Sequence, residues 1–233
     1  MKRFYKAVDI EAADNGFRIT LDGRGIKTAL GKAQILPAQS LADAMAKEWS
    51  AQGDEIDPAL FRYRDLADYA IDIIAPDRGT TIDKLLSFIE TDTLCYRAGP
   101  EEPFYAKQQA IWDPLLTKLE AQEGITLERI SGIMHKPQSP ETHAKLSQRL
   151  NGFDDFALAS TLTMASLAAS LSVALRANAS DADVNALWSA ANLEEDWQIE
   201  QWGQDHDAQE VRKRRTADFL NAYEFGRLAA DKT

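Results

Sequence analysis

Cysteine is nearly absent from this 233-residue chain. Cys95 stands alone, so no intramolecular disulfide can form and a cysteine-based zinc site is excluded. That fits a reducing compartment, and Cys95 reads as a buried small hydrophobe. Histidine is scarce too: only His135, His143 and His206, with no HExxH pair. Asp205-His206-Asp207 is the densest set of possible ligands, but neighbours on a helix point in different directions. It reads as a solvated helix face, and no metal site is expected. Positive charge is under-represented, 26 basic against 37 acidic residues, for a net charge of −11. Such a chain lacks the basic surface that nucleic acid requires and is poorly matched to anionic lipid. It suits a basic or apolar protein partner.

Long apolar runs are also missing, with one exception. Phe156 to Leu175 holds twenty residues without a charge, but six are Ser or Thr and six are Ala. That is too polar for membrane insertion. It reads as one buried central helix whose small side chains let neighbours approach closely, with its hydroxyls bonded to the preceding turn. The N-terminal MKRFYKAVDI has neither an apolar signal core nor an Arg/Ser-rich presequence. Nucleotide motifs fail as well. GIKTALGK at 25–32 has five residues between its glycines and Ala33 where a magnesium-binding hydroxyl should stand, and there is no GxGxxG or GxSxG. No cofactor is expected.

What the chain does contain falls into two regimes. Phe4 to Ile10 is rich in strand formers. Phe17, Ile19 and Leu21 alternate with polar residues, and Asp22-Gly23-Arg24-Gly25 supplies turn chemistry before Ile26-Lys27-Thr28. Ala33 to Leu36 is a further short strand candidate. From Ala38 the period becomes helical, with Leu41, Ala44, Met45, Glu48 and Trp49 on one face of a helix over Ser40–Ala51. Helices follow over Leu60–Ile74, from Thr80 or Thr81 to Cys95, and after Pro103, with Asp113-Pro114 either a second start or a kink. Ile125 to Ile133 is ambiguous, a candidate late strand returning to the N-terminal sheet. Further helices cover Glu141–Leu150, Asp181–Ala191 and Leu193–Ala230. The expected fold is α+β: a small antiparallel β domain over 1–50 that ends in a helix, then a larger all-helical domain over 51–233.

The most informative segment is Leu193–Glu210, LEEDWQIEQWGQDHDAQE. It carries seven acids and no Lys or Arg, with Trp197 and Trp202 among them. One reading is an amphipathic helix with Trp inward and acids in water. The other is a recognition surface, because Trp is enriched at binding hot spots and carboxylates pair with partner arginines. The abundant acids also leave open a small-molecule enzyme using carboxylates in an interdomain cleft, marked by perturbed acids in a deep pocket.

Six segments in order resemble the chaperone family called ATP synthase assembly factor 2, in its alphaproteobacterial form. They are RFYKAVDI (3–10), GFRITLDGRGIKT (16–28), LADAMAKEWSAQG (41–53), TDTLCYRA (91–98), WDPLL (112–116) and EEDWQIEQWGQD (194–205). The resemblance implies a non-enzymatic role without a cofactor: binding the free alpha subunit of the ATP synthase catalytic head until the beta subunit replaces it. The N-terminal sequence is expected to belong to a bacterial cytosolic protein or to a mature form whose leader has been removed, and eukaryotic relatives of the family are expected in the mitochondrial matrix. The resemblance places an important acidic position on Glu194, or Glu195 one residue on, and an important tryptophan on Trp49 beside Glu48. Partner contacts are expected from Glu194, Glu195, Trp197, Glu200, Trp202 and Asp205, while Glu48 and Trp49 are structural or partner-binding. Leu60-Phe61-Arg62-Tyr63-Arg64 and Ala169-Ser170-Leu171-Ser172 depart from the family pattern. High net charge and the lack of a heptad seam point to a monomer.

Overall fold

A computed structural model describes residues 1–132, 134–203 and 205–231. The architecture is α+β: a small N-terminal antiparallel sheet, then ten α-helices among the described residues. Strands β1 (Val8–Ala13), β2 (Gly16–Leu21) and β3 (Arg24–Gly25) pair in that order, with Val8 opposite Leu21 and Ala13 opposite Gly16. The β2–β3 turn places Asp22 (φ 49°) and Gly23 (φ 76°) in the left-handed region, which matches the twist of the flanking strands. Asp22 is held there because its carboxylate accepts the N–H groups of Lys6 (3.0 Å) and Ala7 (2.8 Å). Residues 4–7 therefore run beside the sheet as connecting chain, and the first strand starts at Val8. Residues 33–36 touch the sheet only at isolated bridges, where Phe17 and Leu36 exchange N–H···O bonds of 2.9 and 2.8 Å.

Helix α1 (Gln39–Ser50) buries Leu41, Met45 and Trp49 of the expected face together with Ala42, while Ala44 and Glu48 are half-buried. Helix α2 (Arg62–Tyr69) opens into a wide π turn over Ala70–Ile74. Helix α3 (Arg78–Glu90) ends short of the expected Cys95. Next come β4 (Tyr96–Arg97), α4 (Pro103–Glu123), β5 (Ile130–Ser131) and α5 (Pro140–Asn151). Helix α4 starts on Pro103 and passes through Pro114 without ending. The Ile125–Ile133 run supplies β5, but β5 pairs in parallel with β4 and not with the N-terminal sheet; Ile133 lies outside the described residues. The helical region thus carries a two-stranded pair of its own.

The uncharged run is two helices, not one. Helix α6 (Asp155–Ala168) stops, Ala169 turns left-handed (φ 47°), and α7 (Leu171–Ala177) starts again from Ser170. Ser160 and Ser170 bond at long range, contrary to the expectation of bonding to the preceding turn. Ser170 Oγ donates to Asp92 (2.7 Å) and accepts from the Val173 N–H, while Asp92 also accepts the N–H of Ser172 (2.8 Å) and Leu94 (3.0 Å). A buried carboxylate thus satisfies donors at the start of α7 that would otherwise have none. Helices α8 (Val184–Ala191), α9 (Leu193–Trp202) and α10 (His206–Ala230) complete the chain.

The residues form two compact units. The first comprises residues 1–78, 154–160 and 221–233, the second residues 79–153 and 161–220. The first unit thus runs past residue 50, where the sequence suggested a boundary. Its core includes Ile19, Leu36, Leu41, Met45, Phe61, Ile74 and Phe225. In it Ser160 Oγ donates to the Ala222 carbonyl (2.7 Å), and a Cβ added at Gly226 would collide with Ser160. The second unit is built around Trp112, Leu85, Ile89, Leu116, Leu146 and Phe219. Among the described residues no helix is long and apolar enough to cross a membrane.

Candidate functional site on helix α9

Helix α9 begins with Leu193, which is buried and anchors the helix to the second unit. Glu194, Glu195 and Asp196 fill its first turn, where carboxylates complement the unsatisfied N–H groups of a helix start. From there the side chains divide into three directions, because successive residues rotate by about 100°.

Glu195 and Asp196 turn toward α10. Arg212 Nη1 lies 2.9 Å from Glu195 Oε2 and Nη2 lies 3.3 Å from Asp196 Oδ1, with Arg215 3.9 Å from Glu195. Both guanidinium groups also sit over the Trp188 ring, at 5.7 and 5.6 Å. Trp188 is itself fixed by stacking on Phe219 and by donating Nε1–H to Thr216 Oγ1 (2.8 Å).

Trp197 and Glu200 turn toward α4. Trp197 stacks on Phe104 with centroids 5.5 Å apart, and Lys107 Nζ lies 5.1 Å from the Trp197 ring centre. The same ammonium donates to both Glu200 oxygens at 2.7 Å. Trp197 is thus half-buried packing, and the Glu200 charge is met within the chain.

Glu194 and Trp202 take the third direction, with Gln198 between them at helical spacing. All three are exposed, and Trp202 is 79% exposed. Among the described residues no donor or cation reaches the Glu194 carboxylate. An indole this open is unusual, since tryptophan is mostly buried. Gly203 (φ 86°) ends the helix, and Asp205 starts α10 by accepting the Ala208 N–H at 2.9 Å. Gln198 was not singled out from sequence, although its position four residues after Glu194 is the signal that finds it.

Glu48 and Trp49 lie in the first unit. Glu48 reaches from α1 to the start of α2, where its carboxylate accepts the N–H groups of Arg62 (3.0 Å), Tyr63 (2.8 Å) and Arg64 (3.1 Å). Burial pushes its carboxyl above the usual range, and the three N–H donors pull it part of the way back. Trp49 is 8% exposed. It sits between Tyr5 (centroids 5.6 Å apart) and Phe61 (4.4 Å), and its carbonyl accepts the Tyr5 hydroxyl at 2.6 Å. Among the described residues its Nε1 has no acceptor. Cys95 is fully buried, and burial drives its thiol well above its ordinary range. Among the described residues no group of three His, Cys, Asp or Glu side chains is arranged to hold a metal ion.

Comparison with known proteins gives concordant matches. The sequence pattern of the family described as ATP12 chaperone protein matches residues 2–120. The mitochondrial protein atp12 of Schizosaccharomyces pombe is 27% identical over 228 residues, covering 90% of this chain and 76% of that protein. The crystal structure of Atp12 from Paracoccus denitrificans superposes with a TM-score of 0.93 at 28% identity, over 98% of both chains. The Atu1473 protein of Agrobacterium tumefaciens superposes with a TM-score of 0.92 at 35% identity, over 97% of this chain and 85% of the other.

Proposed function

The chain belongs to the ATP12 chaperone protein family, and from that premise we propose that it binds the free alpha subunit of the ATP synthase catalytic head, keeps it from aggregating, and yields it to the beta subunit. The observation that carries the docking site is the open stripe of α9, Glu194–Gln198–Trp202. An exposed indole beside an unmet carboxylate suits a partner surface that is apolar with basic residues at its margin. Glu195 holds α9 against α10, and Trp197 and Glu200 hold it against α4, so that the stripe is rigid before the partner arrives, while Asp205 caps the start of α10.

A free alpha subunit exposes the apolar surface that later faces its neighbours, an aggregation liability. Covering it takes binding alone, so the protein acts as a monomer, without cofactor and without catalysis, in the bacterial cytoplasm. The interface must also release. A single indole in a largely polar stripe gives a contact that a larger, more apolar beta interface displaces.

The test is co-expression with the cognate alpha subunit followed by size-exclusion chromatography. A soluble one-to-one complex that dissolves on adding beta subunit is the expected result. Aggregation of alpha regardless of the protein, with no complex eluting, overturns the proposal.

A further inference from the structure

The first unit carries a second surface with the opposite charge preference. Two open hollows meet at Trp49 and Lys27. One, of about 540 Å³, is bounded by Phe4, Tyr5 and the β2–β3 hairpin. The other, of about 460 Å³, lies between the 28–30 turn and the side of α2 with its π turn. Large apolar side chains stand exposed around them: Phe4 at 64%, Leu30 at 68% and Ile73 at 50%. Leu30 is held in that position. Its N–H donates to Asp72 Oδ2 (2.9 Å), the Ala29 N–H to Asp68 Oδ2 (3.1 Å) and Thr28 Oγ1 to Asp72 Oδ1 (2.8 Å). Two carboxylates thus fix a turn whose tip offers a leucine to solvent, an arrangement that gains nothing for the isolated fold.

The hairpin side of the rim presents two cations, Arg24 and Lys27, whereas Asp65, Asp68 and Asp72 line the second hollow beside Lys27 and Arg64. Arg24 and Lys27 are exposed, and among the described residues neither has a carboxylate within ion-pair distance. The acids nearby are engaged: Asp22 by the Lys6 and Ala7 N–H groups, Asp65 by Arg64 at 2.5 Å, and Asp68 and Asp72 by the turn. The N-terminal stretch that holds the hairpin differs in charge from the rest of the chain. Residues 1–32 carry a net charge of +3, the remaining residues −14.

We propose that this groove docks a protein segment that pairs apolar side chains with a carboxylate. The apolar residues lie over Trp49 between Phe4 and Leu30, and the carboxylate meets Arg24 or Lys27, with Arg24 able to bind it through two parallel N–H···O bonds. The inference rests on the partner-binding reading above and adds a docking surface separate from α9.

The probe is a short acetylated and amidated peptide of Val and Thr ending in paired Glu, with a control in which Lys replaces Glu. Binding to the full chain is followed by calorimetry and by amide chemical shifts. The acidic peptide is expected to bind with shifts at the 24–30 and 70–74 segments, and the Lys peptide about tenfold more weakly or not at all. Lys27→Glu and Arg24→Glu should reverse that preference, and Leu30→Asp should abolish binding. All three positions are exposed, so the variants should keep the wild-type melting temperature. Equal binding of both peptides, shifts elsewhere, or no binding overturns the groove. Protection of the alpha subunit is scored separately with wild-type protein: if protection persists while the peptide fails, only the groove is wrong, and if protection fails while the peptide binds, the alpha-subunit reading is wrong.

Discussion

Glu194 and Trp202 are eight residues apart on α9 and share its open side, while the acids between them are spent on Arg212 and Lys107. Because no described residue bonds to the Glu194 carboxylate and both side chains are exposed, removing either should leave stability within about 0.5 kcal/mol of wild type. Trp202→Ala should nevertheless weaken alpha-subunit binding by about 2 kcal/mol or more, the range of an interfacial tryptophan. Glu194→Ala should lower protection in aggregation assays at an unchanged melting temperature. A fall in melting temperature that accounts for the lost protection would make both residues structural. Glu48 behaves in the opposite way. It caps α2 through three backbone N–H groups, so Glu48→Ala should cost about 1–2 kcal/mol of folding stability, readable in urea titration. The sequence shows Glu48 and Trp49 only as neighbours on α1. The cap was illegible because the accepting carboxylate and the helix it serves are separated by more than a dozen residues, and no local pattern links them.

Elements in this chain are legible where a local period decides them and illegible where a distant side chain does. Helix α1 lies within a residue of the expected span because Leu41, Met45 and Trp49 repeat at helical spacing. The uncharged run keeps a helical composition throughout, so nothing local announces the break at Ala169–Ser170. The break exists because Asp92, far away in sequence, takes the donors at the start of α7. Asp92→Ala would leave those buried donors unmet at about 1–3 kcal/mol each, so a loss of about 3 kcal/mol or more is expected. Burial of Asp92 raises its carboxyl above the ordinary value, outweighing the hydrogen bonds that lower it. A folded-state value above the unfolded one means that the folded chain holds this proton more tightly. The contribution is therefore fully present below about pH 3.9, the unfolded value, and is lost as pH rises through the folded one. Wild type should lose stability relative to Asp92→Asn over that window, measured as the difference between their urea midpoints. A pH-independent difference would show that Asp92 does not titrate in this range. The small residues of α6 obey the same logic of distance. Gly226→Ala pushes a methyl group into Ser160 and should cost about 1–3 kcal/mol by overpacking, a close approach the Ala- and Ser-rich run foretold only in kind.

At the scale of the whole molecule, charge is the property read most directly from composition and the one composition describes least completely. The net charge of −11 is a sum over a basic stretch of 32 residues and a strongly acidic remainder. Charges on different surfaces steer encounter separately and are screened together. Association with the alpha subunit should therefore slow as ionic strength rises, while dissociation, which the proposed Trp202 contact would govern, should change little. Stopped-flow mixing across a salt series separates the two rates. Reversing Lys213 and Arg214 on α10, both exposed near the acidic face, gives the complementary check. Lys213→Glu with Arg214→Glu makes that side more acidic and should speed association at low salt, with no change at high salt where the Debye length falls to about 3 Å. If association proves insensitive to salt, the acidic surface serves solubility alone, and recognition of the client rests on the Trp202 indole.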